Sequence, residues 1–140
     1  MPVHCFDLDG TLFQFVEAPD YEDPKSLFRA TRAQHDRCRV VRDIMQAGQA
    51  VFFITGRRET TRQVTLGQLR RWVHPQIGSH QLIMQEEWAG YDAMADYKAR
   101  HLRRLKATSY VGDHASDQDA AAKALVPFIH ADAWLLEVPA

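Results

Sequence analysis

Val3-His4-Cys5-Phe6-Asp7-Leu8-Asp9-Gly10-Thr11 is the stretch on which the fold turns. Val3 to Phe6 is short and mostly apolar, and reads as a buried strand. It breaks directly into two aspartates, a glycine and a threonine, residues that favour turns. The same grammar recurs further along the chain. Ala50-Val51-Phe52-Phe53-Ile54 is apolar on both faces and runs into Thr55-Gly56-Arg57, read as a turn. Ser109-Tyr110-Val111 runs into Gly112-Asp113. A strand apolar on both faces suits the centre of a parallel sheet covered by helices.

The intervening segments supply those helices. Phe13 to Pro24, with Pro19, Pro24 and several acids, reads as a loop. Leu27 to Ala47 reads as one helix, with Ser26 as its cap, Val40, Val41, Ile44 and Met45 as its strong apolar face, and Gly48 as its stop. Glu59 to Trp72 reads as a second helix, closed by His74-Pro75. Gln81 to Gln85 reads as a strand, Ala93 to Lys106 as a basic helix, and Pro127 to Ile129 as a last strand. Ser116 or Asp117 would cap a helix through Leu125, and one helical turn is expected around Trp134, Leu135 and Leu136. Alternating strands and helices predict an α/β fold, a doubly wound, Rossmann-like parallel sheet flanked by helices. Residues 1–140 are expected to form a single domain.

Composition excludes several classes. The chain is 46% hydrophobic and 25% charged, with a formal net charge of -1. That balance argues against broad electrostatic attraction to nucleic acid, though it leaves room for a local basic rim. Cys5 and Cys38 lack metal-site or disulfide-framework spacing and read as free thiols in a reducing, cytoplasmic compartment. No apolar run approaches the ~20 residues of a membrane span. No signal peptide is expected, because the first motif already begins at Asp7.

In open parallel sheets, ligands bind outside the carboxyl ends of the strands. Asp7, Thr55 and Asp113 each follow a strand, so adjacent strands would bring them to one rim, within reach of Lys98 on a preceding helix. Carboxylates with a lysine and a threonine suit phosphoryl transfer. Mg²⁺ prefers carboxylate, water and phosphate oxygens. Cationic and hydroxyl donors stabilise the transferred phosphoryl group, and a carboxylate can serve as the nucleophile.

These residues resemble the four motifs of the haloacid dehalogenase (HAD) superfamily phosphatases. Asp7-Leu8-Asp9-Gly10-Thr11 resembles the first motif, Thr55-Gly56-Arg57 the second, Lys98 the third, and Gly112-Asp113-His114-Ala115-Ser116-Asp117 the fourth. The resemblance implies a Mg²⁺-dependent phosphomonoesterase working through an aspartyl-phosphate. Asp7 would be the nucleophile and a metal ligand. Asp9 would be the general acid/base, with its backbone carbonyl on the metal. Thr55, Gly56, Arg57 and Lys98 would bind substrate phosphate, and Asp113 would complete the metal site. Asp117 would support that site or cap a helix, and Gly10 and Thr11 would shape the turn. The acid at Asp9 implies phosphate-ester chemistry, since members acting on carbon–halogen bonds lack one there.

Neither insertion point, after Asp9 or between Thr55 and Lys98, has room for a sizeable cap domain. Minimal or no cap implies an open site, unless a second subunit of a homo-oligomer covers it. The stretches Thr55-Gly56-Arg57-Arg58-Glu59, Leu82-Ile83-Met84-Gln85 and Asp96-Tyr97-Lys98 also resemble the phosphatase domain of phage-type polynucleotide kinase-phosphatase. The expected substrate is a nucleotide or other phosphorylated metabolite. The alternatives are a 3'-phosphate at a nucleic acid end, or a non-enzymatic phosphate-binding regulatory module. His114 reads as a surface or supporting histidine, and Trp88 and Tyr91 as residues that border the pocket or pack structurally.

Overall fold

The computed structural model describes residues 1–137, without the side chains of Leu136 and Glu137. Five parallel strands form the central sheet in the order β5-β4-β1-β6-β7. These are β1 (Val3–Phe6), β4 (Ala50–Arg58), β5 (Leu82–Gln85), β6 (Ser109–Gly112) and β7 (Phe128–His130). The chain winds outward from β1 to one edge, then returns to build the other side from β6. The order therefore reverses beside β1, where such sheets open a crevice. Register brings Phe6 beside Phe53 and Val111, so β1, β4 and β6 reach the rim together.

Side-chain alternation divides the core. Phe6, Phe53 and Val111 face α2 (His35–Gln46), α3 (Arg62–Trp72) and α6 (Ala131–Glu137), meeting Cys38, Val41, Leu69 and Trp134. Their neighbours Cys5, Ile54 and Tyr110 face α4 (Tyr91–Arg104) and α5 (Ala115–Ala124), meeting Ala99, Leu102, Ala120 and Ala121. Burial on both faces explains why these strands lack polar alternation.

The segment after Asp9 departs from expectation. Phe13–Phe15 is a strand, β2, rather than loop. The expected helix from Leu27 to Ala47 is broken into α1 (Pro24–Ala30), β3 (Thr31–Ala33) and α2. β2 and β3 pair antiparallel, Phe13 with Ala33 and Phe15 with Thr31. Thr31 and Ala33 are buried while Arg32 points out, a period-two pattern too short to stand out from the helical segments around it. Asp23, not Ser26, caps α1, accepting from the Lys25 N–H; Ser26 Oγ instead accepts from the Asp20 N–H. β4 likewise runs through Thr55-Gly56-Arg57 to Arg58, with a register irregularity, instead of turning after Ile54.

The C-terminal helix packs on its own sheet. Trp134 is buried and meets Phe6 edge-on at 5.1 Å. Trp134→Ala should lower stability by about 3 kcal/mol or more in urea unfolding, the scale of a truncated core aromatic. A loss below ~1 kcal/mol would mean that α6 is not held there. Burial also pushes the Cys5 and Cys38 thiols up from 9.0 to about 12. The folded state then keeps protons that the unfolded chain loses, so this contribution is complete below pH ~9 and declines between there and pH ~12. Both thiols should be silent to a thiol reagent at pH 8 until the chain unfolds. Rapid native-state labelling would contradict their burial.

Candidate active site

The loop that follows β1 is tight. Leu8 O accepts from the N–H groups of Thr11, Leu12 and Phe13 at 3.0, 2.9 and 2.9 Å. Gly10 has φ +82, and a Cβ there would run into the Asp113 carboxylate, so glycine is required for both backbone and space. Arg37, from α2, donates to Thr11 O at 3.0 Å and pairs with Asp132 at 3.1 Å. Thr11 itself is buried.

Asp7, Asp113 and Asp117 each place a carboxylate oxygen within 4.8 Å of the others. Lys98, buried in α4, inserts its ammonium among them, 3.3 Å from Asp7 Oδ1 and 2.5 Å from Asp117 Oδ1. Tyr110 Oη also donates to Asp117 Oδ1 at 2.8 Å, and the His114 N–H donates to Oδ2 at 3.2 Å. Asp117 is therefore engaged through both oxygens. It orients Lys98 and, opposite the His114 cap, helps to start α5.

These contacts separate the carboxyl groups electrostatically. Burial opposes the ionised form of Asp117, but Lys98 and the surrounding hydrogen bonds outweigh it and hold the carboxyl below its ordinary value. Burial, followed by the charge of Asp117, pushes Asp7 well above its ordinary value, and Lys98 offsets only part of this. Asp113, partly exposed, is also raised by burial. Burial pulls Lys98 down, yet Asp7 and Asp117 more than reverse that and leave the ammonium firmly charged.

The cluster thus carries more carboxylates than Lys98 can neutralise. A divalent cation fits this donor set, because it would favour the ionised forms of Asp7 and Asp113, the two carboxylates that Lys98 and Tyr110 do not saturate.

Arg57 borders the same cavity as Asp7 and Asp9, but its side chain turns inward. Its side chain is fully buried, and its guanidinium grips Asp9 through Nε at 2.9 Å and Nη2 at 2.7 Å. The remaining donors reach Thr31, Thr65 and Gln68 at 3.2, 3.1 and 2.7 Å. Every guanidinium N–H has a protein partner, so Arg57 orients Asp9 rather than a substrate. Thr31, Thr65, Gln68 and Tyr110 were not apparent as site residues in sequence. The only local signal was polar residues within otherwise buried elements.

Thr55 is buried beside Asp7's strand, and its Oγ accepts from the Arg57 N–H at 3.1 Å, leaving the hydroxyl proton free to donate. Tyr97 Oη donates to Thr55 O at 3.0 Å. Asp7, Asp9, Gly10, Thr55, Gly56, Lys98, Asp113 and Asp117 all line one cavity of ≈ 560 Å³. Thr11 is not part of that lining. Loops after β2 and β5 meet above it, where Arg58 lies between Tyr21 and Trp88.

No protein-family model and no curated protein matches the sequence. Solved structures do match the fold. A chain from the Pnkp1/Rnl/Hen1 RNA repair complex superposes with TM-score 0.72 at 18% identity, covering 92% of this chain and 42% of its own length. A second structure of that complex gives TM-score 0.72 at 20% identity, covering 93% and 44%. The class C acid phosphatase from Bacillus anthracis gives TM-score 0.60 at 17% identity, covering 83% and 52%. The present chain therefore spans less than half the length of the RNA repair chains it matches. The strand order and these similarities define a doubly wound, Rossmann-like α/β fold, shared with a chain of an RNA repair complex and with a class C acid phosphatase.

Lys98→Met would leave Asp7 and Asp117 buried without their cation. It should cost about 3–5 kcal/mol in urea unfolding measured in EDTA, the scale for breaking a buried ion pair from one side. A cost below ~1 kcal/mol would show that the carboxyl groups are neutralised without Lys98.

Proposed function

We propose that the chain is a HAD-type, Mg²⁺-dependent phosphomonoesterase acting through an aspartyl-phosphate on Asp7, with a nucleotide or other phosphorylated metabolite as substrate. The observation that carries this reading is the convergence of Asp7, Asp9, Thr55, Lys98 and Asp113 on one cavity beside the carboxyl ends of β1 and β6 and the later part of β4. Residues 1–140 would act as one phosphatase domain.

Asp7 and Asp113, with the Asp9 backbone carbonyl, would hold Mg²⁺. When bound, the ion supplies positive charge for the phosphate oxygens and keeps Asp7 ionised. Lys98 and the Thr55 hydroxyl orient the phosphoryl group and stabilise its charge. An Asp7 carboxylate oxygen attacks phosphorus as the bond to the leaving oxygen breaks, and Asp9 delivers a proton to that oxygen. Asp9 then takes a proton from a water whose oxygen attacks phosphorus, and the bond from phosphorus to the Asp7 oxygen breaks, which releases inorganic phosphate and restores the Asp7 carboxylate.

In the arrangement seen here, both Asp9 oxygens accept from Arg57. Each of those oxygens keeps a further lone-pair site, through which Asp9 can carry a proton while Arg57 holds the carboxyl in place.

A second reading is a 3'-phosphatase acting on nucleic acid ends. It is favoured by likeness to a chain of an RNA repair complex and by the small size of both insertions beside the cavity. The buried free thiols suit a cytoplasmic location. Among the described residues, no helix is long and apolar enough to cross a membrane.

Phosphate release from small phosphomonoesters and 3'-phosphorylated oligonucleotides tests both readings. With Mg²⁺, release should occur for at least one class, cease in EDTA and fall to background in Asp7→Asn. Asp9→Asn should lower turnover by about 10²–10⁴-fold, the usual share of general acid–base catalysis. Release that persists in Asp7→Asn would remove the nucleophile assignment.

A further inference from the structure

The carboxylates form only part of the cavity wall. Phe15, Tyr21, Trp88 and Tyr91 line the same space as Asp7 and Asp9. Phosphoryl transfer itself needs none of these rings, and their arrangement is ordered. The Arg58 guanidinium lies 5.1 Å from the Tyr21 ring centroid and 5.0 Å from that of Trp88. It is fixed by a bond to Gly56 O at 3.0 Å. Trp88 and Tyr91 meet almost at right angles, with centroids 5.1 Å apart and planes at 86°. Tyr91 in turn stacks on the His114 ring at 5.3 Å and 17°.

Arg58 thus backs one face of Trp88, and His114 one face of Tyr91. Even so, Trp88 remains 44% exposed and Tyr91 62%. Single exposed aromatics are ordinary on protein surfaces. Two braced rings set perpendicular in the wall of a cavity that also holds the carboxylate cluster have a more specific use. They make a corner in which a planar ring can stack on one face with its edge against the other, the two favoured aromatic geometries.

We propose that Trp88 and Tyr91 form a stacking corner for the leaving group, so that the substrate is a nucleoside phosphate whose base enters this corner while its phosphate sits at Asp7. This inference rests on the phosphomonoesterase reading above. The cavity volume of ≈ 560 Å³ lies within the range of sites that enclose small ligands. A sugar phosphate without a base would leave the corner in water and forgo its contribution. A free mononucleotide and the terminal nucleotide of a polymer present the same chemistry to it.

The test uses the full chain carrying Asp7→Asn, with Mg²⁺, so that binding is read without turnover. Dissociation constants are measured by calorimetry for adenosine 3'-monophosphate, adenosine 5'-monophosphate, ribose 5-phosphate and a 3'-phosphorylated trinucleotide. At least one adenosine phosphate should bind about tenfold more tightly than ribose 5-phosphate, the scale of base–aromatic stacking. Adding Trp88→Leu should remove most of that difference, whereas Trp88→Phe, which keeps a ring, should retain most of it. Equal affinity for adenosine and ribose phosphates, or equal weakening of all ligands by Trp88→Leu, would overturn the proposal.

Turnover of ribose 5-phosphate by the unmodified chain separates the two levels of inference. Hydrolysis without base preference would remove the corner alone. Absence of binding and hydrolysis for every ester would remove the phosphatase reading and the corner with it. Tighter binding of the trinucleotide than of either mononucleotide would support the corner and identify a nucleic acid end as its source. Weaker binding, with the base preference intact, would support it and identify a free nucleotide.

Discussion

The buried ammonium of Lys98 is the interaction around which the site is organised. Asp7 follows β1 and Asp117 lies in the first turn of α5, and without a cation between them their approach would cost several kcal/mol of desolvation and repulsion. Lys98 reaches both from α4, across a helix–helix contact lined by the small residues Ala99, Ala120 and Ala121. Small side chains let α4 and α5 lie close, and that closeness delivers the ammonium. Packing and electrostatics are thus one constraint: α4 must dock on α5 for the carboxylates to share a rim.

The two cations of the site have different tasks. Lys98 is a compact charge, matched to several oxygens at once. Arg57 is a planar fork, and its five donors are matched to Asp9, Thr31, Thr65 and Gln68. Through this fork the β2–β3 hairpin and α3 both contact the element that fixes Asp9. The short insertion after Asp9 therefore does more than close a loop. Thr31, in β3, accepts from Arg57 and so is one of the groups that hold the Asp9 carboxyl in place.

Above this polar floor, Tyr21, Arg58 and Trp88 join the two insertions across the cavity mouth. No cap domain is present among the described residues. Side chains from two short loops supply the upper wall instead, and their chemistry is aromatic and cationic rather than carboxylate. The cavity accordingly divides into a carboxylate-lined region and an aromatic one.

Much of the fold was legible in sequence because buried parallel strands are short apolar runs with no polar alternation, and each here ends in a recognisable polar residue. Asp7, Asp9 and Asp113 could be read from those ends, since a strand's terminus fixes where its next side chain emerges; Thr55 follows an apolar run but lies within β4. The β2–β3 hairpin could not, because three-residue strands derive their stability from partners far along the chain and not from local pattern. The partners of Arg57 could not be read for a related reason. Beside a glycine and before another arginine it looks like an exposed phosphate ligand, and only the folded chain shows its guanidinium turned inward onto Asp9. Asp117 was ambiguous between cap and site, and both uses prove compatible once Lys98 and Tyr110 are in place. The sequence by itself determined the layer order and the carboxylates of the rim, because both follow from local hydrophobic pattern. Tertiary structure alone decided which charges pair and which rings line the cavity, because those depend on distances between segments that no local pattern encodes.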